Sequence, residues 1–487
     1  MSDTVDYSRK WYVMAAVATG LFLSTIDGSI VNVALPTLEQ DLATQFAVVQ
    51  WVVLAYLLTV TTLMLTVGRL ADMIGKKPLY TTGFAIFTVG SALCGASPNI
   101  YWLIGFRVLQ AIGAAMIMAL GTAIITEAFP PSERGRALGI GGSMVSVGIV
   151  VGPTLGGLLL SVLSWHWIFF VNLPIGVVGI YMVTRFVPDF KPKGRQRFDL
   201  AGALTLFTSL ICLLIGLTLG QLDGFGQWQT QVLLAAWALF LLAFIIIESR
   251  VPQPMIDLTI FRHGLFSINL ITGFLSFVCI AGTTILMPFY LENVLQYDTR
   301  QVGLLLAVVP LTMGSIAPLA GAASDRFGTR PITVLGLFVL LIGYCAVSTL
   351  DQGTTALGYI ARFLPLGLGM GIFQSPNNST IMGTAPRHRL GVASGLLSLT
   401  RTLGQTVGIA LLSTLWASRV ISNSPDLISG NVTSAALAAQ VSGLQDTFRV
   451  TALVIGAALL LSVWGLRQER RQATPPGTLW RAPDSPG

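Results

Sequence analysis

Fourteen apolar runs separated by short polar breaks divide the chain, at 11–33, 50–67, 78–97, 101–125, 137–161, 167–187, 200–220, 230–248, 265–290, 302–322, 331–350, 355–377, 391–417 and 448–466. Each is close to the ~20 residues that an α-helix needs to cross the hydrocarbon core of a bilayer. In lipid every backbone polar group must be satisfied internally, so runs of this kind specify an all-α polytopic membrane protein. What remains between them is too short for a soluble catalytic domain, which excludes most enzyme classes. Composition agrees: 53% of the 487 residues are hydrophobic and 10% charged, against about 25% charged in soluble domains.

Orientation follows from the cations. With the N-terminus in the cytoplasm, 22 of the 28 Lys and Arg fall in inner segments, three (Arg300, Arg419, Arg449) in outer segments and three (Arg107, Arg362, Arg401) within spans. This is a strong positive-inside bias, and it predicts a multi-pass protein of the cell (inner) membrane with both termini cytoplasmic. The net charge of +7 therefore reports topology, and no nucleic-acid partner is expected. Cys94, Cys212, Cys279 and Cys345 lie far apart inside apolar runs and read as packing residues. His166, His263 and His388 fall in loops, so neither a metal site nor a cofactor is expected.

The chain repeats itself. The loop Gly68–Lys77, GRLADMIGKK, recurs as GAASDRFGTR at Gly321–Arg330, about 253 residues later. Arg107 and Arg362 sit at similar depths about 255 apart, and Gly148/Gly152 recur as Gly404/Gly408 about 256 apart. Matches at nearly one offset indicate a duplication whose units run in the same membrane direction, the arrangement of parallel six-helix halves. The runs at 200–220 and 230–248 fall between the units as a lipid-facing linker hairpin. The predicted domains are 1–190, a six-helix bundle; 191–262, a cytoplasmic linker plus the two extra helices; 263–467, a second six-helix bundle; and 468–487, a disordered cytoplasmic tail.

Asp27 is the one acid well inside a span, and an intramembrane ionisable group is a functional hypothesis by default. At ~1.5 Å per residue it lies ~24 Å above the inner edge of its span, while Arg107 lies ~9 Å below the outer edge. The depths overlap, so the two can pair. Desolvation favours a neutral acid and a neighbouring cation favours the carboxylate, so any movement that separates them changes the acid's hold on a proton. A static ion pair holding the bundle together is the competing reading. The position equivalent to Asp27 in the second unit is near Ala281, and that asymmetry favours function. Arg401 lies near midplane, where it either packs a helix or lines a cavity; Arg362 reads as structural. Asn32, Tyr56, Gln374 and Asn377 are candidates to line a cavity, each able instead to satisfy a neighbouring helix.

These motifs together resemble the fourteen-span drug:proton antiporter family of the major facilitator superfamily, the EmrB/QacA type, over nearly the full length. IDGSIVNVALP (Ile26–Pro36) resembles its first-helix motif, with Asp27 at the acidic position. Gly68, Leu70, Ala71, Asp72, Gly75, Lys76 and Lys77 match the loop motif, with Met73 where Arg is usual. Leu103, Arg107, Gln110, Gly113, Ala114 and Ala115 match the fourth-helix motif, and WHWIFFVNLPIG (Trp165–Gly176) is similar to a family signature, with His166 in place of Arg. Gly148, Gly152, Pro153, Gly156 and Gly157 match the antiporter motif.

The resemblance implies a major facilitator fold of fourteen transmembrane helices and a proton-coupled exporter of small molecules working by alternating access. It implies that Asp27, with Arg107, couples proton entry to substrate exit. It further implies that Gly68, Asp72, Gly75 and Lys76, with Arg134 nearby, form a cytoplasmic latch. Protons, a small-molecule substrate, the lipid bilayer and accessory export proteins are the partners implied. With Asp27 the sole central acid, a lipophilic monovalent cation or a neutral or zwitterionic drug fits better than a dication. A lipid or glycolipid flippase on the same fold is the alternative, for which the long outer segment Ser418 to Thr447 is the only hint.

Overall fold

A computed structural model describes residues 9–130, 133–189, 199–251, 264–384, 390–424 and 431–473. Among these no strand occurs. The helices are α1 (Lys10–Asp41), α2 (Phe46–Val49), α3 (Trp51–Ile74), α4 (Lys76–Gly95), α5 (Ile100–Ala128), α6 (Arg134–Val162), α7 (Trp167–Phe170), α8 (Asn172–Phe186), α9 (Leu200–Asp223) and α10 (Trp228–Arg250). The second unit contributes α11 (Gly264–Phe289), continued by a π-turn over Tyr290–Val294, then α12 (Thr299–Leu306), α13 (Val308–Phe327), α14 (Thr329–Val347), α15 (Ala356–Thr384), α16 (Leu390–Ser422) and α17 (Leu437–Ala473).

Twelve stretches among the described residues are long and apolar enough to cross a membrane. The Thr- and Gln-rich run near residue 50 is one of them, as Phe46–Met64. The apolar runs at 78–97 and 391–417 do form long helices, α4 and α16, but neither is among the twelve. The last helix runs on to Ala473, six residues past the expected domain end at 467, and the rest of the expected tail lies outside the described residues. The outer segment expected over 418–447 is shorter than the sequence suggested, because α16 continues to Ser422 and α17 begins at Leu437.

Local chemistry sets the helix starts. Asn99 accepts the Tyr101 and Trp102 N–H groups ahead of α5, Asp199 accepts Gly202 N–H ahead of α9, and Asp298 forms a capping box with Gln301 ahead of α12. Each such cap is worth about 1 kcal/mol. Lys10 at the start of α1 meets Glu133 before α6, Arg330 early in α14 donates to Gly465 O late in α17, and Glu39 late in α1 meets Thr433 before α17. The two described chain ends therefore lie at one end of the bundle, here the proximal end.

Lipid gives helices no hydrophobic reason to associate, so close packing over small residues must do it. The two units use the same positions. A Cβ at Gly148 or Gly152 of α6 would meet Thr25, Ser29 and the backbone of α1, and a Cβ at Gly404 or Gly408 of α16 would meet the backbone of α11 at Phe274 and Val278. Gly83, Gly90 and Gly113 bring α4 against α5, and Gly336, Gly343 and Gly369, at offsets of 253 and 256, bring α14 against α15. Gly75 (φ 101°, ψ 148°) and Gly328 (φ 89°, ψ 149°) turn the corresponding hairpins with one backbone conformation. That region is essentially closed to other residues and costs them of order 1–3 kcal/mol. Gly75→Ala should accordingly lower stability by about 1–3 kcal/mol in thermal unfolding in detergent. Gly68→Ala, where a Cβ meets nothing within 4 Å, should be neutral; equal effects of the two would remove the conformational argument.

Candidate functional site

Asp27, Arg107, Gln110 and Asn172 are all fully buried where α1, α3, α4, α5 and α8 converge. Arg107 Nη1 donates to Asp27 Oδ2 at 2.7 Å and to Gln110 Oε1 at 2.8 Å, and Nε donates to Val52 O at 2.9 Å. Gln110 Nε2 and Asn172 Nδ2 both donate to Asp27 Oδ1, at 2.8 and 2.9 Å. Gln110 reaches this position because it is three residues from Arg107 on one helix face. Asn172 Nδ2 also donates to Ser91 Oγ, which donates to Phe169 O. Tyr56 lies flat under the guanidinium, 4.1 Å from Cζ to ring centroid, and cation–π attraction strengthens when both groups are desolvated.

The arrangement is closed but not saturated. Asp27 acts purely as an acceptor, with donors on both oxygens. Arg107 Nη2, Tyr56 OH and Asn172 Oδ1 are buried without a hydrogen-bond partner among the described residues.

The structure brings Asp27 and Arg107 together as their depths suggested, and it corrects other expectations. Tyr56 belongs to the cage of this pair. Asn32 bonds its own helix at Gly28 O, 3.0 Å away. Asn377 is buried and donates to Asn269 O, while Gln374 on the same helix is half-buried. Arg401 is half-buried and makes no hydrogen bond or ion pair among the described residues. Arg362 is not a buried copy of Arg107: it binds Thr349 Oγ1 and Gly358 O near the distal end of α15. Gln110 and Asn172 were not singled out as site residues, although both stand inside the sequence motifs.

At the proximal end Lys76 pairs with Glu127, and Lys10 with Glu133 at 2.7 Å. The side chains of Asp72 and Arg134, expected partners in the latch, lie outside the described residues. Pro153 sits inside α6. Gly148, Gly152 and Gly156 face α1, whereas Gly157 faces the other unit, where a Cβ would collide with Thr299 O and crowd Gly303 of α12. More contacts close the same distal seam. Ser413 Oγ donates to Gln50 Oε1 at 2.6 Å, Thr433 Oγ1 donates to Glu39, and Phe46 inserts edge-on between Phe289 and Trp416.

A family model described as Major Facilitator Superfamily matches residues 17–409. The chain belongs to the Major Facilitator Superfamily. Within that superfamily it is similar to the riboflavin transporter RibZ of Clostridioides difficile (strain 630), 34% identical over 464 residues that cover 94% of this chain and 98% of the relative. It is also similar to the multidrug resistance protein Stp of Mycobacterium tuberculosis (strain CDC 1551 / Oshkosh), 33% identical over 405 residues covering 83% of this chain and 75% of the relative. Among solved structures, a bacterial homolog of the human lysosomal transporter Spinster, inward-facing and unoccupied, aligns with a TM-score of 0.63 at 17% identity, over 96% of this chain and 99% of that one. At such identity the likeness speaks to the fold alone. The superfamily member described here is a multi-pass membrane transporter.

Proposed function

We propose that this transporter is a proton-coupled exporter, a drug:proton antiporter of small lipophilic or cationic compounds, working by alternating access. The observation that carries the reading is the buried Asp27–Arg107 pair held by Gln110 and Asn172. A proton on Asp27 removes the charge that holds Arg107, and release of Arg107 frees the α5 face that now donates to Val52 O of α3. Proton occupancy and helix position are thereby one variable, which antiport requires. Several relatives are named as multidrug or resistance exporters, in keeping with the substrate class.

In this reading α4 and α16 also cross the bilayer, giving the fourteen spans of the EmrB/QacA type as 6+2+6, with domains at 1–190, 191–262 and 263–467. The cation distribution supports cytoplasmic termini in the cell membrane, so the proximal end is the inner face. The distal contacts then describe a state shut towards the outside. The loop Gly68–Lys77 with Arg134 holds the opposite state, and the glycines of α6 let the distal seam close. A second reading is transport of a flavin-like metabolite, favoured by the 34% identity to RibZ along nearly the whole chain.

Everted membrane vesicles with an acid interior and a pH-sensitive dye test both. Lipophilic cations and neutral drugs should dequench the dye, and Asp27→Asn should abolish the response. Dequenching that survives in Asp27→Asn removes the coupling site; response to riboflavin alone selects the second reading.

A further inference from the structure

The distal face carries an open cleft of about 680 Å³. It straddles the two units. Gln40 of α1 with Leu160 and Ser161 of α6 form one wall, and Glu292, Tyr297 and Arg300 belong to the other. A site on this seam changes shape whenever the units move relative to each other.

Glu292 is the unusual member. It sits in the π-turn that ends α11, and its Oε1 is buried with no hydrogen-bond partner. The chain leaves this turn through Gln296, a non-glycine residue at φ 57°, so the backbone around the cleft is irregular twice within a few residues. The other charges do not neutralise the acid. Asp298 is engaged by the Gln301 N–H as a helix cap, and Arg300 is exposed and forms no ion pair with Glu292 among the described residues. The cleft thus offers one half-buried carboxyl group that has no counter-charge among the described residues.

We propose that this cleft is an exit vestibule in which Glu292 holds the ammonium group of an organic cation on its way out. This rests on the exporter reading for the direction of travel, and it adds a cation-recognition point separate from the proton-coupling pair at Asp27. A half-buried carboxylate costs free energy unless paired, and an ammonium ligand supplies the missing donors. The apolar contact of Leu160 and the ring of Tyr297 suit the rest of a lipophilic cation.

The test reads binding at the cleft and not transport. The cysteine introduced by Gln296→Cys lines the cleft and is labelled with a neutral maleimide in the full chain reconstituted in nanodiscs, with the unsubstituted chain as background. Dansylcadaverine, a dye that carries a primary ammonium group at neutral pH, should protect it. The half-protecting concentration should rise about tenfold or more when Glu292→Gln is added, as for loss of a hydrogen bond to a charged group. Glu292→Asp should retain protection, and a neutral dye of similar size should protect no better in either background. Adding Asp27→Asn should leave protection intact, so failure of the coupling site and failure of the vestibule are read separately. Equal protection with and without Glu292→Gln, or none in any background, would overturn the proposal.

Discussion

Arg107→Met should destabilise the protein by about 3–5 kcal/mol, because it leaves the Asp27 carboxylate buried without its cation. Gln110 and Asn172 remain as donors, but neither carries charge. The effect should be largely reversed in the double variant Asp27→Asn/Arg107→Met, where no charge is left in the pocket. Thermal unfolding in detergent gives the four corners of the cycle, and a coupling near zero would show that the 2.7 Å contact contributes nothing to the fold. The double variant has a second use. A protein that regains stability but releases no protons on substrate addition separates the pair's structural role from its role in coupling. If the double variant still couples transport to protons, the pair is a scaffold.

Gly157→Val should prevent the distal seam from closing. The branched side chain has to enter the space where Thr299 O and Gly303 lie, and backbone there cannot move aside within one half. The units would have to part. A cysteine pair made by Gln50→Cys and Ser413→Cys, at positions now joined by a 2.6 Å hydrogen bond, should be bridged by a short bifunctional thiol reagent in the otherwise unchanged chain. Bridging should fail when Gly157→Val is added, with export lost as well. Gly142→Val, on the same helix with nothing within 4 Å of a Cβ, is the control. Cross-linking that survives Gly157→Val would mean that the seam closes elsewhere.

Much of this was legible in the residues. Helical spans follow from apolar length, since the bilayer allows so few alternatives. The duplication showed in spacing because hairpins that need a glycine at positive φ, and helices that need glycine at a crossing, tolerate little substitution at those points. Gly75 and Gly328 are examples. The meeting of Asp27 and Arg107 was legible as depth, because rise per residue is fixed.

What sequence could not give was direction around the helix axis. Asn32 read as a candidate to line a cavity and Asn172 did not, yet Asn32 bonds the Gly28 carbonyl one turn back and Asn172 completes the carboxylate's shell. Arg362 matched Arg107 in depth, but its hydrogen-bond partners among the described residues are Thr349 and Gly358, and Ala281 stands where the first unit has its acid. Lys76 meets Glu127, a contact between residues 51 apart in sequence that spacing alone does not reveal. Glu292 drew no attention because it stands at a span end, where an acid is ordinary, and only the π-turn buries one of its oxygens.

The linker hairpin gives the molecule a front and a back. Trp51 Nε1 of α3 donates to Thr218 Oγ1 of α9 at 3.0 Å, and α9 also lies against α16, while α10 rides outside it with its apolar surface largely uncovered. One flank where the units meet is therefore shuttered by a helix attached to both. A compound dissolved in the bilayer that boards sideways has to come past α6, α12 and α13, on the opposite flank. Bulk and tail length would then be filtered by which doorway exists, before any polar group is recognised.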